Sequence, residues 1–328
     1  NNLSIYKNIK NLEIVNDKNN HAVEKIIVKK SDNKKLEVNA KEFIISCGAI
    51  ESTKLLLSYN KNNKNFITKN KSPLGMYFSE QLSFVCGEFN VKDYKKFIEY
   101  VSPIYQNFLV HAPRLEVSNE FQKKNKIPSA FCHFTYNYEK LNFKVSNLYK
   151  IIYNFIYFKF IKKTVWYRKP SKVFLNINLE QSRNSNNKLY LSKKINGKYK
   201  LVINWKIYKK DFRIIKTIAK NFKISWYKNK LDKIAKLKIS NPEKYNNKTN
   251  EQIKITYHPI GSIMTGNNRK NSVVDKNLKI WGIKNLYICS TAIFPSSGSA
   301  NTGFNFLSLT YRLGEHISNK LKLREPKV

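Results

Sequence analysis

Two short apolar runs, each followed at once by small residues, constrain this chain more than any other feature. Phe43-Ile44-Ile45-Ser46-Cys47 runs into Gly48-Ala49, and Glu51 to Ser58 then has helical spacing with Leu55, Leu56 and Leu57. Near the other end, Leu286-Tyr287-Ile288-Cys289 runs into Ser290-Thr291-Ala292. Thr302 to Lys320 follows, with Phe306, Leu309, Leu313 and Ile317 at three- and four-residue steps. A short unbroken apolar run is the pattern of a strand buried on both faces. Small residues between strand and helix let a helix start approach a phosphate or ribose closely. The same grammar therefore stands at both ends of the chain and predicts one α/β domain made from distant pieces.

Between them the grammar changes. Lys25–Lys29 and Lys35–Val38 flank the polar turn Ser31-Asp32-Asn33 and read as a hairpin, and residues 60–71 read as a polar linker. Beyond it, 82–85, 108–110 and 130–134 are strand candidates. The clearest strand is Val173 to Leu179, where Val173, Leu175, Ile177 and Leu179 line one face while Asn176 and Asn178 point away. Lys188–Ser192 and Lys200–Trp205 flank Asn196-Gly197, a strong hairpin signal. Helices are predicted over 146–166 and 209–235. This central part reads as an α+β domain on a mostly antiparallel sheet, and the expected domains are 1–72, 73–255 and 256–328, the last returning to the first.

Composition sets the class. At 328 residues, with 41% apolar and 13% aromatic content, the chain can bury a substantial core. Its net charge of +39 comes from 61 Lys and Arg against 22 Asp and Glu. Taken alone, that suggests nucleic acid or an anionic surface as a partner. Lysine, however, is spread almost everywhere and arginine is scarce, whereas nucleic-acid readers cluster charge and use arginine forks. A Lys/Asn codon bias accounts for the pattern, and no nucleic-acid partner is expected. Cys47, Cys86, Cys132 and Cys289 lie far apart without C-x-x-C spacing, which indicates neither zinc nor a disulfide framework. Cys47 and Cys289 end apolar runs and read as small buried hydrophobes, and a reducing, cytoplasmic setting is expected. No apolar run reaches the length of a membrane span; residues 151–161, broken by Asn154 and Lys159, read as a core-facing helix. The opening residues read as mid-domain, which suggests a piece of a longer protein.

Motifs in order narrow the class. Phe43 to Ser52 resembles the strand–G-A-I-E-S–LLL element of the glucose–methanol–choline (GMC) flavoprotein oxidoreductases, and Leu74-Gly75-Met76-Tyr77-Phe78 is similar to the V-G-R-x-F that follows it. His258-Pro259-Ile260-Gly261-Ser262 with Val273-Val274-Asp275 resembles H-P-x-G-T … V-V-D. Gly282 to Tyr287 and Phe294 to Asn301 complete the C-terminal signature. The resemblance implies a partial Rossmann-like FAD-binding domain with an inserted substrate domain, and oxidation of an alcohol or sugar hydroxyl by hydride transfer to the flavin. His258 would be the base and Asn301 would hydrogen-bond the substrate oxygen. Gly48, Ala49, Ser290, Thr291, Ala292, Thr302 and Gly303 would contact FAD. The electron acceptor is open. Ser290 stands where many members carry an acidic residue, Thr302 replaces a proline, and Met264-Thr265 displaces an R-M pair. No G-x-G-x-x-G is present, so the fingerprint that holds the FAD pyrophosphate is missing and the chain alone is expected to be inactive.

Two other readings stay open at this point: a basic binding module, and a degenerate remnant of a split gene. Each candidate also has a plainer role. His258 before Pro259 could be a turn histidine, Gly48 could serve only strand–helix packing, and Asn301 could be a helix N-cap. His21 reads as solvated, His316 as surface or packing, and His111 and His133 as core or surface positions that could also line a pocket.

Overall fold

The computed structural model describes residues 3–19, 21–138, 148–161, 163, 169–195, 198–240 and 253–322. In chain order it has β1 (Ile9–Asn16), β2 (Val23–Lys30), β3 (Lys35–Asn39), β4 (Phe43–Ile45), α1 (Gly48–Asn62), β5 (Gln81–Val91), α2 (Tyr94–Val101), β6 (Ile104–Gln106) and β7 (Leu109–His111). Next come β8 (Leu115–Glu116), α3 (Asn119–Asn125), β9 (Ala130–Asn137), α4 (Leu148–Ile156), β10 (Lys172–Glu180), β11 (Lys188–Ile195) and β12 (Lys198–Asn204). The chain ends with α5 (Lys209–Lys228), β13 (Ala235–Ile239), β14 (Ile253–Ile255), β15 (Leu286–Ile288) and α6 (Gly303–Lys322). It is a mixed fold of helices and mostly antiparallel sheets, and no described helix is long and apolar enough to cross a membrane.

Two compact units emerge. The first comprises residues 1–80, 183–206 and 257–328; the second comprises 81–182 and 207–256. The β11–β12 hairpin thus groups with the first unit, whereas the sequence reading kept it within 73–255. Its Asn196-Gly197 turn lies outside the described residues.

In the first unit, β4 and β15 pair in parallel, with Phe43 opposite Leu286 and Ile45 opposite Ile288. Asn285 fastens this pair. Its Oδ1 accepts from Val23 N–H at 2.8 Å, its Nδ2 donates to Val23 O and Lys41 O at 2.9 and 3.3 Å, and its own carbonyl accepts from Phe43 N–H at 2.9 Å. The predicted core face of α6 holds: Leu313 is buried, and Phe306, Leu309 and Ile317 pack against the core around Leu286, Tyr287 and Ile288.

Three expectations for this unit are corrected. Ile44 is 50% exposed, so β4 is covered on one face only; one parallel partner beside a three-residue strand cannot shield both sides. Cys47 is exposed rather than buried, because it has left the strand and turns into α1. The polar linker is a packed corner: Asn60 is buried and its Oδ1 accepts from the backbone of Ile67 at 2.8 Å, satisfying amides that water would otherwise serve.

In the second unit, the sheet order is β13-β5-β10-β9-β8, with β14 also on β5. One face packs on α5 through Ile214, Ile215, Ile218, Phe222 and Trp226, all buried. The Phe89 ring is the hub, with centroids 5.1 Å from Trp226, 5.5 Å from Phe134 and 5.7 Å from Phe97. Trp226 Nε1 donates to Ala235 O at 2.8 Å, which lets a large polar-tipped ring lie inside. Asn176 and Asn178 point away from that core as expected, yet both are buried, because β10 is a central strand flanked by β5 and β9. The helix at 148–156 is not core-facing: Ile152, Tyr153, Phe155 and Ile156 are all about half exposed or more. Apolar content does not supply a partner surface.

Three outcomes follow from this packing. Asn285→Ala should cost about 2–4 kcal/mol in urea unfolding, since it strands buried backbone groups. Trp226→Ala should cost about 3–5 kcal/mol by the same measurement, from lost burial and the cavity left behind. Burial and the nearby Arg114 charge lower the His133 pKa to about 4. The unfolded chain then binds a proton on this residue, below about pH 6.5, that the fold does not. Stability should therefore fall as pH drops from 6.5 toward 4, and pH-dependent melts of His133→Gln should show a shallower fall.

Candidate active site

Because β4 and β15 run in parallel, the chain leaves both strands at the same end. The carboxyl ends of parallel strands are where open α/β sheets place ligands. From β4 the chain passes through Cys47 into α1, whose start has no side-chain cap. Gly48 is exposed with φ +72°, and a Cβ there would meet nothing within 4 Å. Ala49 is buried and its carbonyl accepts from Thr53 Oγ1 at 2.7 Å.

From β15 the chain passes through Ser290 into a single 3₁₀ turn, Thr291–Ile293. Ser290 is buried and its Oγ caps the Ala292 N–H at 3.3 Å. Ala292 is buried and its carbonyl accepts from Ile263 N–H at 3.1 Å. Thr291 Oγ1 donates to Pro259 O at 2.8 Å, which ties this turn to the histidine segment.

That segment is held from several sides. Tyr257 has φ +58° and is 80% exposed, while His258 is half-buried. The His258 N–H donates to Glu80 Oε2 at 3.0 Å, and the Glu80 side chain is itself buried. Ile260 exchanges backbone hydrogen bonds with Ser79 at 3.0 and 3.1 Å. Gly261 has φ +76°, and a Cβ there would lie 2.2 Å from the Tyr77 carbonyl oxygen, so only glycine fits. Ser262 Oγ lies 2.8 Å from Thr53 Oγ1, linking the turn to α1. Three sequence segments far apart in the chain are thus joined by side-chain hydrogen bonds.

The third predicted piece opens α6. Thr302 is buried and its carbonyl accepts from Phe306 N–H at 2.9 Å, so Thr302 occupies the cap position. Asn301, exposed and one residue earlier, is not the N-cap. Gly303 is exposed, and a Cβ there would meet nothing within 4 Å. The predicted contact residues therefore divide. Gly48, Asn301 and Gly303 are open; Ala49, Ser290, Ala292 and Thr302 are sealed; Thr291 is half-buried and bonded to Pro259.

Glu80, Thr53 and the Ser262 hydroxyl escaped sequence reasoning. Nothing in the sequence marks Glu80 out, since Glu42 likewise stands just before the apolar strand Phe43–Ile45. Of the other histidines, His21 is exposed with its N–H on Asp17 Oδ1 at 2.8 Å, and His111 is exposed in β7. The His316 ring packs edge-on against Tyr287 at 6.1 Å. Among the described residues, no group of three His, Cys, Asp or Glu could hold a metal ion.

Part of the chain is similar to a known family, and its fold is similar to that of solved structures. Residues 183–310 match the family model for GMC oxidoreductase. No curated protein sequence matches the chain. Among solved structures, pyridoxine 4-oxidase from Mesorbium loti superposes with a TM-score of 0.52 at 11% identity, covering 91% of this chain and 55% of that one. Formate oxidase from Aspergillus oryzae RIB40 gives 0.52 at 13% identity, covering 94% and 59%. The chain therefore spans somewhat more than half the length of these proteins, and at such identities the likeness is one of fold. Through residues 183–310, the chain is similar to the GMC oxidoreductase family.

Proposed function

We propose that this chain carries the catalytic wall of a flavin site and serves in FAD-dependent oxidation of an alcohol or sugar hydroxyl. The observation that carries this reading is the joining of three segments at one end of the parallel pair. Thr291 bonds Pro259, beside His258, and Ser262 meets Thr53 of α1. A base and two small-residue loops brought together in this way suit a flat cofactor lying over backbone. The β4–α1 and β15–α6 pieces then read as parts of a Rossmann-like domain, and residues 81–182 with 207–256 as the substrate domain.

The residues present fit FAD. Gly48 and Gly303 offer backbone with no Cβ in the way, and the uncapped start of α1 leaves amides for an anionic or carbonyl edge. Ala49, Ser290, Ala292 and Thr302, being sealed, set the course of those loops rather than touch the ring. A solved structure of the similar formate oxidase concerns its FAD modification, which supports the same cofactor here. Bound FAD would supply the hydride acceptor.

His258 would take the hydroxyl proton, imidazole being the side chain suited to proton exchange near neutral pH. Glu80 fixes the backbone of that residue by accepting its N–H. Asn301 cannot titrate; it would hold the substrate oxygen in line with the base. The glycine fingerprint for the FAD pyrophosphate is not in this sequence, so turnover would need that segment from elsewhere. The test is to co-express the chain with a segment carrying the fingerprint and follow anaerobic bleaching of flavin absorbance by an alcohol. His258→Ala should slow bleaching by about 10²–10⁴-fold with flavin still bound. Near-normal bleaching in that variant would remove the base assignment.

A further inference from the structure

The second unit holds a polar cluster that the flavin reading does not use. Cross-strand register sets Phe131 opposite Asn178 and His133 opposite Asn176, and Glu116 opposite Phe131. Their side chains therefore share the sheet face turned away from α5. Arg114, two residues before Glu116, lays its guanidinium 4.4 Å over the Phe131 ring. The His133 ring lies 5.5 Å from Phe131.

Each member has unused hydrogen-bonding capacity. Arg114 is exposed and forms no ion pair among the described residues, so stacking on Phe131 holds a guanidinium whose fork is free. The His133 Nδ1 is buried without a hydrogen-bond partner, as is Asn178 Oδ1. An unpaired lone pair is tolerated in such a place better than an unpaired N–H. That puts the His133 proton on Nε2, the nitrogen still open to solvent. By the same reasoning, Asn178 turns its amide N–H₂ outward. Asn176 is spent on Thr135 Oγ1. Glu116, the acidic neighbour on this face, has Ser129 Oγ at 3.5 Å from its Oε1. The free groups are thus one forked cation and two neutral donors.

We infer that Arg114, His133 and Asn178 form a carboxylate-recognition patch on the second unit that takes the acid group of a small hydroxy acid. A single guanidinium flanked by neutral donors matches a planar anion of one charge, and the fork allows bidentate pairing. A neutral polyol would leave the guanidinium unpaired, and a phosphate dianion would find only one positive charge. Burial of His133 agrees, since it keeps the ring neutral and a donor through one nitrogen.

The test uses the full chain without flavin. Glycerate, glycerol and glycerol 2-phosphate are titrated against chain labelled at histidine, and the imidazole resonances are followed by NMR, with His133 identified by its loss in His133→Gln. Glycerate should shift the His133 signals saturably, while glycerol leaves them in place. Arg114→Gln, a surface change whose folding is checked by melting temperature, should weaken glycerate binding at least tenfold. Lys220→Gln on α5 should not weaken it, which separates the patch from the general positive charge. Unsaturable shifts, equal response to glycerol, tighter binding of glycerol 2-phosphate, or undiminished binding by a folded Arg114→Gln would each overturn the assignment. If glycerate binds but reconstituted flavin is never bleached, only the oxidation reading fails. If neutral alcohols bleach flavin and glycerate does not bind, only this one does.

Discussion

The parallel pairing of β4 with β15, fastened by Asn285, is the constraint on which the first unit depends. It joins two three-residue strands that would be too short to persist alone. The surrounding core supplies the rest: Tyr287 and Leu56 are fully buried beside the pair, and α6 lays Leu313 against it. Register matters more than strand length here. A shift by one residue would carry Ile45 and Ile288 to the wrong face and break the Cys289 N–H bond to Ile45 O at 2.8 Å. Both loops that the flavin reading uses hang from this one register.

Much of the fold was legible because its signals are local. The hairpins, the alternation along β10 and the three- and four-residue steps of α6 are all backbone periodicities printed in residue order. What escaped was set by distant neighbours. Whether Ile44 is covered, whether Asn176 faces water, and whether residues 60–71 are slack or packed depend on what lies across from them. No window of sequence contains that information. The Asn60 corner shows the point well, since asparagine in a polar run looks like a loop until its Oδ1 is found on the Ile67 amide.

The candidate site was legible to a similar degree. His258, Asn301 and the small-residue loops stood out as types and in order. Their anchoring did not, because Glu80, Thr53 and Ser262 are common residues that act only through a partner far away in sequence. Gly261 explains part of the motif without chemistry: the Tyr77 carbonyl leaves no room for a side chain. A motif can therefore be kept by packing in one residue and by reactivity in its neighbour.

The split composition of the first unit bears on how the protein is made. By Thr256 the second unit has all of its strands and helices, and it can close while the rest of the chain is still being added. β4, by contrast, must wait for β15, whose Leu286 pairs with Phe43 from some three quarters of the chain away, a closure that is slow and costly in entropy. Until it arrives, Phe43 and Ile45 form an apolar strand with an unpaired edge. A nascent chain stalled before Leu286 would present that edge to other chains, so β4 is where misassembly during synthesis should begin.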